Sequence, residues 1–142
     1  MIAIGSDHAG ILLKGEILEL FDKIGVLYKD FGTYDESSAD YPIYGKKVAE
    51  AVISGECEKG IVICGTGIGI SIAANKIKGI RAALCHDVFS AKMTRLHNDA
   101  NILALGARVI GAGAALEVVN AFLFTEFPGE KRHLDRIKMI ED

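Results

Sequence analysis

Short apolar, β-branched runs alternate along the whole chain with amphipathic stretches of ten to fifteen residues, and this alternation limits the possible folds more than any other feature. It is the pattern of βαβ units wound around a parallel sheet. The runs are Ile2–Gly5, Val26–Phe31, Gly60–Cys64, Ile80–Cys85 and Ile102–Leu105. Most lack a polar alternation, as expected of strands covered on both faces. Between them, Leu13, Ile17, Leu20, Phe21 and Ile24 recur at helical spacing, as do Val48 and Val52, and Gly25 stands where the first helix should stop. Further helices are predicted over Ile70–Lys76, Asp87–Leu96, Gly113–Phe124 and Glu130–Ile140, with Pro128 and Gly129 separating the last two. No repeat, linker or composition shift marks a second domain. The expected object is one domain over residues 1–142, a three-layer α/β/α, Rossmann-like fold with a five-stranded parallel sheet.

Composition narrows the function. A chain of 142 residues with 50% hydrophobic content can bury a core without staples, since at about this size roughly two-thirds of the unfolded surface is covered. Sixteen basic and 19 acidic residues give a net charge of -3 with the signs interleaved, so no positive field for a nucleic-acid backbone exists. The uncharged run Ile61–Ala74 is shorter than the ~18 residues that cross a bilayer and is broken by glycines, so no membrane role is expected. Asp7 follows the N-terminus too closely for a secretory h-region, and Cys57, Cys64 and Cys85 form no even framework. A cytoplasmic protein with free thiols is expected. Without a C-x-x-C pair, the cysteines make no zinc site.

Parallel sheets place ligands beyond the carboxyl ends of their strands. Two segments qualify: Ser6-Asp7-His8 after the first run, and Cys64-Gly65-Thr66-Gly67-Ile68-Gly69 after the third. The second is a glycine-rich strand-to-helix turn whose N–H groups can cradle an anion, though its spacing meets neither the dinucleotide nor the P-loop pattern. A tight turn needing positive φ would read the same way. Cys64 is either a small buried hydrophobe or a thiol that gains thiolate character beside backbone donors. Asp7 and His8 suit acid–base work or anion binding, and Asp7 equally suits a helix cap.

His97 and Asn98 fall between a helix and the fifth strand, hence at the opposite sheet edge from Cys64. A five-residue strand spans about 17 Å, so one chain hardly brings His97 onto its own Cys64. Either a second subunit delivers the histidine, or the pair merely caps a helix. Arg132 and Arg136 lie four apart on one helical face, where they grip an anion or are simply solvated. His133 points elsewhere and reads as surface; His86 is a weak candidate for lining the cleft.

Taken together, G-S-D-H-A-G at Gly5–Gly10, D-Y-P at Asp40–Pro42, I-C-G-T-G-I-G-I-S-I-A-A-N-K at Ile63–Lys76, G-I-R-A at Gly79–Ala82 and H-N-D-A-N at His97–Asn101 closely resemble type B ribose-5-phosphate isomerase, a family that includes the galactose-6-phosphate isomerase subunits. The resemblance spans nearly the whole chain. It implies a metal-free, cofactor-free aldose–ketose isomerase acting on a phosphorylated sugar, interconverting ribose 5-phosphate and ribulose 5-phosphate through a cis-enediolate. By the same resemblance, Cys64 is the base and Gly65, Gly67, Ile68 and Gly69 belong to the hole for the enediolate oxygens. Thr66 and His97 open the sugar ring, and Asp7 manages protons on its oxygens. His8, Arg132 and Arg136 bind phosphate, while Tyr41, Asn98 and Arg108 contact substrate. The family's sites are shared, with His97 and Asn98 coming from the partner, which implies at least a homodimer and leaves a tetramer open. The chain departs from the family's Gly-Gly-Arg-His-x-x-Arg near the C-terminus: Gly129-Glu130-Lys131 precedes Arg132, with one residue extra and a glycine lost.

Overall fold

The computed structural model describes residues 1–142 and contains one sheet. Its strands are β1 (Ile2–Ser6), β2 (Tyr28–Asp30), β3 (Lys59–Cys64), β4 (Ala82–Leu84) and β5 (Ile102–Gly106), all parallel, in the order β2-β1-β3-β5-β4. Helices α1 (Ile11–Ile24), α2 (Tyr41–Ile53), α3 (Ile68–Asn75) and α4 (Val88–Asn98) make the crossovers, and α5 (Ala112–Phe124) and α6 (Lys131–Glu141) follow the last strand. All five expected strands form. The two at the sheet edges are shorter than their apolar runs because each has a neighbour on one side only, and the flanking residues turn away into loops.

Side-chain alternation divides the core into two layers. Ile2, Ile4, Ile61, Ile63, Leu103 and Leu105 point toward α1, α4 and α5, where Ile17, Phe21 and Phe122 are fully buried. Ala3, Val62, Cys64, Ile102 and Ala104 point the other way and pack under α2 and α3 through Val48, Ala49, Ile70 and Ala74. The three-layer α/β/α, Rossmann-like architecture follows. No helix is long and apolar enough to cross a membrane.

This topology opens a crevice over the central strands. The chain leaves β1 toward β2 on one side and leaves β3 toward β4 on the other, so the loops after β1 and β3 diverge. The Asp7 N–H donates to the Ile63 carbonyl at 3.2 Å and keeps the two loop bases together. A buried lysine fixes the approach to α2: Lys14, only 4% exposed, donates from Nζ to Asp30 Oδ1 at 2.8 Å and to the Thr33 carbonyl at 2.5 Å. Removing one partner of such a buried pair costs about 3–5 kcal/mol, so Lys14 holds the start of the 33–40 loop firmly.

Candidate active site

Cys64 ends β3 with its side chain 5% exposed. The Gly67 N–H donates to its Sγ at 3.1 Å, a contact that stabilises negative charge on sulfur. Gly67 makes this possible with φ +76°, in the left-handed region. A methyl group there would also collide with the Leu105 carbonyl carbon at 2.7 Å and the Gly106 nitrogen at 2.9 Å, so β5 packs flush behind the turn. Two backbone bonds lock it: Ala107 N–H to the Cys64 carbonyl at 2.9 Å, and Arg108 N–H to the Gly65 carbonyl at 3.0 Å. The Ile68 N–H is taken by Thr66 Oγ1 at 3.2 Å, whereas the N–H groups of Thr66, Gly69 and Ile70 have no acceptor in the chain. Free N–H donors therefore lie within six residues of the sulfur, in the turn that follows it and the first turn of α3.

Five further expected residues border this turn. The Tyr41 ring, at the N-terminal end of α2, lies directly against Gly69, where any side chain would displace it. The Arg108 side chain passes over Gly65, within 3.1 Å of where a Cβ would stand, and its guanidinium has no carboxylate partner. Thr66 is exposed at the mouth. Asp7, nearly buried, accepts from the N–H groups of Ala9 and Gly10 at 2.9 and 3.2 Å through one oxygen, capping the short turn His8–Gly10. His8 accepts the Ala39 N–H on Nδ1 at 3.1 Å, which leaves Nε2 as the ring's donor, without a partner in the chain.

The remaining four residues are elsewhere. His97 and Asn98, in the last turn of α4, share a cleft of about 350 Å³ with Arg132 and Arg136 of α6. This cleft lies by the amino ends of the strands, because α4 runs from the carboxyl end of β4 back to the start of β5. The two arginines differ: Arg132 Nε is bound to Glu130 Oε2 at 3.1 Å, while Arg136 has no acidic partner. Glu130 belongs to the segment that departs from the family pattern, so the departure ties up the first arginine. A larger cavity of about 530 Å³ adjoins the cleft and shares Asn98 and Ile140 with it; none of the other expected site residues lines it, and its Arg81 is already bound to Glu141 at 2.7 Å.

A family model described as Ribose/Galactose Isomerase matches residues 2–140 of the chain. The chain belongs to this family. Among solved structures, ribose-5-phosphate isomerase B of Clostridium thermocellum is 58% identical and superposes with a TM-score of 0.96, covering 99% of this chain and 94% of its own. Ribose-5-phosphate isomerase B of Escherichia coli K12 is 48% identical over 139 residues, 98% of this chain and 93% of the relative. Galactose-6-phosphate isomerase subunit LacB of Clostridium acetobutylicum is 42% identical over 142 residues, 100% of this chain and 82% of the relative. The chain is therefore an isomerase built on the ribose/galactose isomerase fold.

Two histidines of this isomerase behave differently from their sequence reading. His133 is buried rather than at the surface, because α6 turns it inward against α4. His86 accepts the Gly106 N–H on Nε2 at 2.9 Å, so it braces the end of β5 behind the turn instead of offering a free ring to the cleft. The position of His86 beside a strand end signals this bracing only weakly, and nothing local signals the burial of His133. Cys57 and Cys85 are buried free thiols, and burial with the nearby Asp87 pushes Cys85 up to about 11, far from thiolate chemistry at neutral pH.

Proposed function

We propose that the isomerase interconverts ribose 5-phosphate and ribulose 5-phosphate, with Cys64 as the base and the Gly65–Gly69 turn as the anion hole. The observation that carries this reading is the Cys64 sulfur beside the Gly67 N–H, with unclaimed N–H donors in the turn that follows it. In the open-chain aldose, the Cys64 thiolate takes the proton from C2. The bonding electrons form the C1–C2 double bond and place the charge of the former carbonyl on O1, where the free donors meet it. The thiol then returns the proton to C1 on the same face, and a proton passes from O2 to O1, leaving the ketone at C2. Asp7 handles that transfer with the carboxylate oxygen not used in capping.

Thr66 and His97 act on the ring form, and Tyr41, Asn98 and Arg108 contact the sugar. His97 and Asn98 come from the partner of a homodimer. Because Arg132 and Arg136 line the same cleft as His97, they arrive with it, and the phosphate is gripped between His8 of one chain and two arginines of the other. Arg136 carries more of that grip, since Glu130 competes for Arg132.

The test is Cys64→Ala, with turnover measured in a coupled assay and ribose 5-phosphate affinity by calorimetry. Turnover should fall by about a thousandfold or more, while affinity changes by a few fold. Unchanged turnover would reject the thiol base. Running the wild-type assay with allose and galactose 6-phosphates decides the sugar: a kcat/KM higher for either than for ribose 5-phosphate rejects the five-carbon assignment.

A further inference from the structure

His133 is the only residue of α6 whose side chain is buried, at 8% exposure, yet its ring makes no hydrogen bond within the chain. The nearest carboxylate oxygen, Glu130 Oε2, is 4.0 Å from its Nε2, beyond hydrogen-bonding range, and is engaged by Arg132. What His133 does touch is His97: the ring centroids are 4.7 Å apart and the planes differ by 21°, a stacked pair. His97 is exposed and sits in the last turn of α4, which ends at Asp99 in the left-handed conformation. An exposed side chain at a helix end ordinarily exchanges rotamers freely. Here one face of the imidazole is covered.

We propose that His133 is a positioning residue, a flat buried platform that holds the His97 ring in one orientation within the cleft it shares with Arg132 and Arg136. The inference rests on the reading of His97 as a group that acts on substrate. The charge surroundings agree with it. Burial lowers the His133 pKa below the ordinary histidine value, Arg132, His97 and Arg136 act in the same direction, and Glu130 alone opposes. Arg132, Glu130 and Arg136 face it from its own helix and His97 from α4, so a neutral His133 is the form that stacks without adding a cation to a site already holding two guanidinium groups.

A platform needs a flat face, and a packing role needs only volume. The two are separated by His133→Phe and His133→Leu, both of which keep the site filled. The readouts are kcat and KM for ribose 5-phosphate, and the NMR shifts of the His97 ring protons in the resting enzyme, assigned with His97→Asn. With Phe, kcat should stay within about threefold of wild type and the ring-current shift at His97 should persist. With Leu, kcat should fall about tenfold with KM changed less than threefold, and the ring-current shift should vanish. Equal kcat in the two variants, or an unchanged His97 shift in the Leu variant, overturns the proposal. If wild type itself fails to turn over ribose 5-phosphate, the functional reading has failed, and the NMR comparison of the two variants still decides whether His133 orients His97.

Discussion

The Cys64 turn and the His97 cleft are constructed from different materials. The turn is main chain held by main chain: its donors are N–H groups, its shape is set by Gly67, and Ala107 and Arg108, just past β5, close its back through two backbone bonds. The cleft is side chains on the ends of two helices, held by one ring stack and by ion pairs such as Arg81–Glu141 and Arg132–Glu130. The difference teaches how a site divides its tasks. Under the proposed function, charge that appears during proton transfer is met by dipoles that cannot reorganise, whereas the phosphate is held by long guanidinium arms that reach it from outside.

Breaking the rigid half should do the most damage. Gly67→Ala combines a left-handed φ with a collision against Leu105 and Gly106, so it should cost about 3 kcal/mol in urea unfolding and abolish turnover. The flexible half should respond by degrees. Arg136→Ala should raise KM for ribose 5-phosphate about tenfold with kcat little changed, and Arg132→Ala only about threefold, because Glu130 already competes for that guanidinium. Glu130→Gln should act in the opposite direction, lowering KM about twofold by releasing Arg132. An Arg132→Ala effect as large as that of Arg136→Ala would show that the pair with Glu130 does not persist in solution.

The smallest effect concerns acid. His133 has a folded-state pKa below its unfolded value, so the folded chain binds fewer protons there, and stability present above about pH 6.5 is lost as the pH falls from that value through the folded pKa. Asp35 and Asp87 are lowered carboxylates held by Ser37 and Ser90, and their stabilising effect is lost only in stronger acid. Urea midpoints at pH 8 and pH 5.5 should therefore differ more for wild type than for His133→Phe; an identical pH dependence in the two would remove His133 as the source.

What the sequence reveals follows the same division. Strands covered on both faces must be apolar throughout, so the five strands and three layers are written as continuous runs. A backbone turn is likewise written in its glycines, but spacing alone leaves Cys64 between a buried hydrophobe and an activated thiol, and the resemblance of the whole Ile63–Lys76 block is what points to a site there. The side-chain cleft is less legible. His133 lies among Lys131, Arg132, Leu134 and Asp135 on a charged helix, and its burial depends on how α6 meets α4, which no local pattern states. Lys14 sits in a helix like any solvated lysine, and only its partners sixteen and nineteen residues away make it a buried anchor. The extra residue before Arg132 is plain in the sequence, but its consequence, the pairing with Glu130, needed the structure.

The proposed site draws Cys64 from one chain and His97 from its partner, and that division is open to direct measurement. Inactive Cys64→Ala and inactive His97→Asn subunits, mixed in equal amounts with exchange verified by mass spectrometry, should regain about a quarter of wild-type turnover, since half the dimers are mixed and each of these has one intact site. A mixture that exchanges fully and stays inactive would contradict a site composed from two subunits.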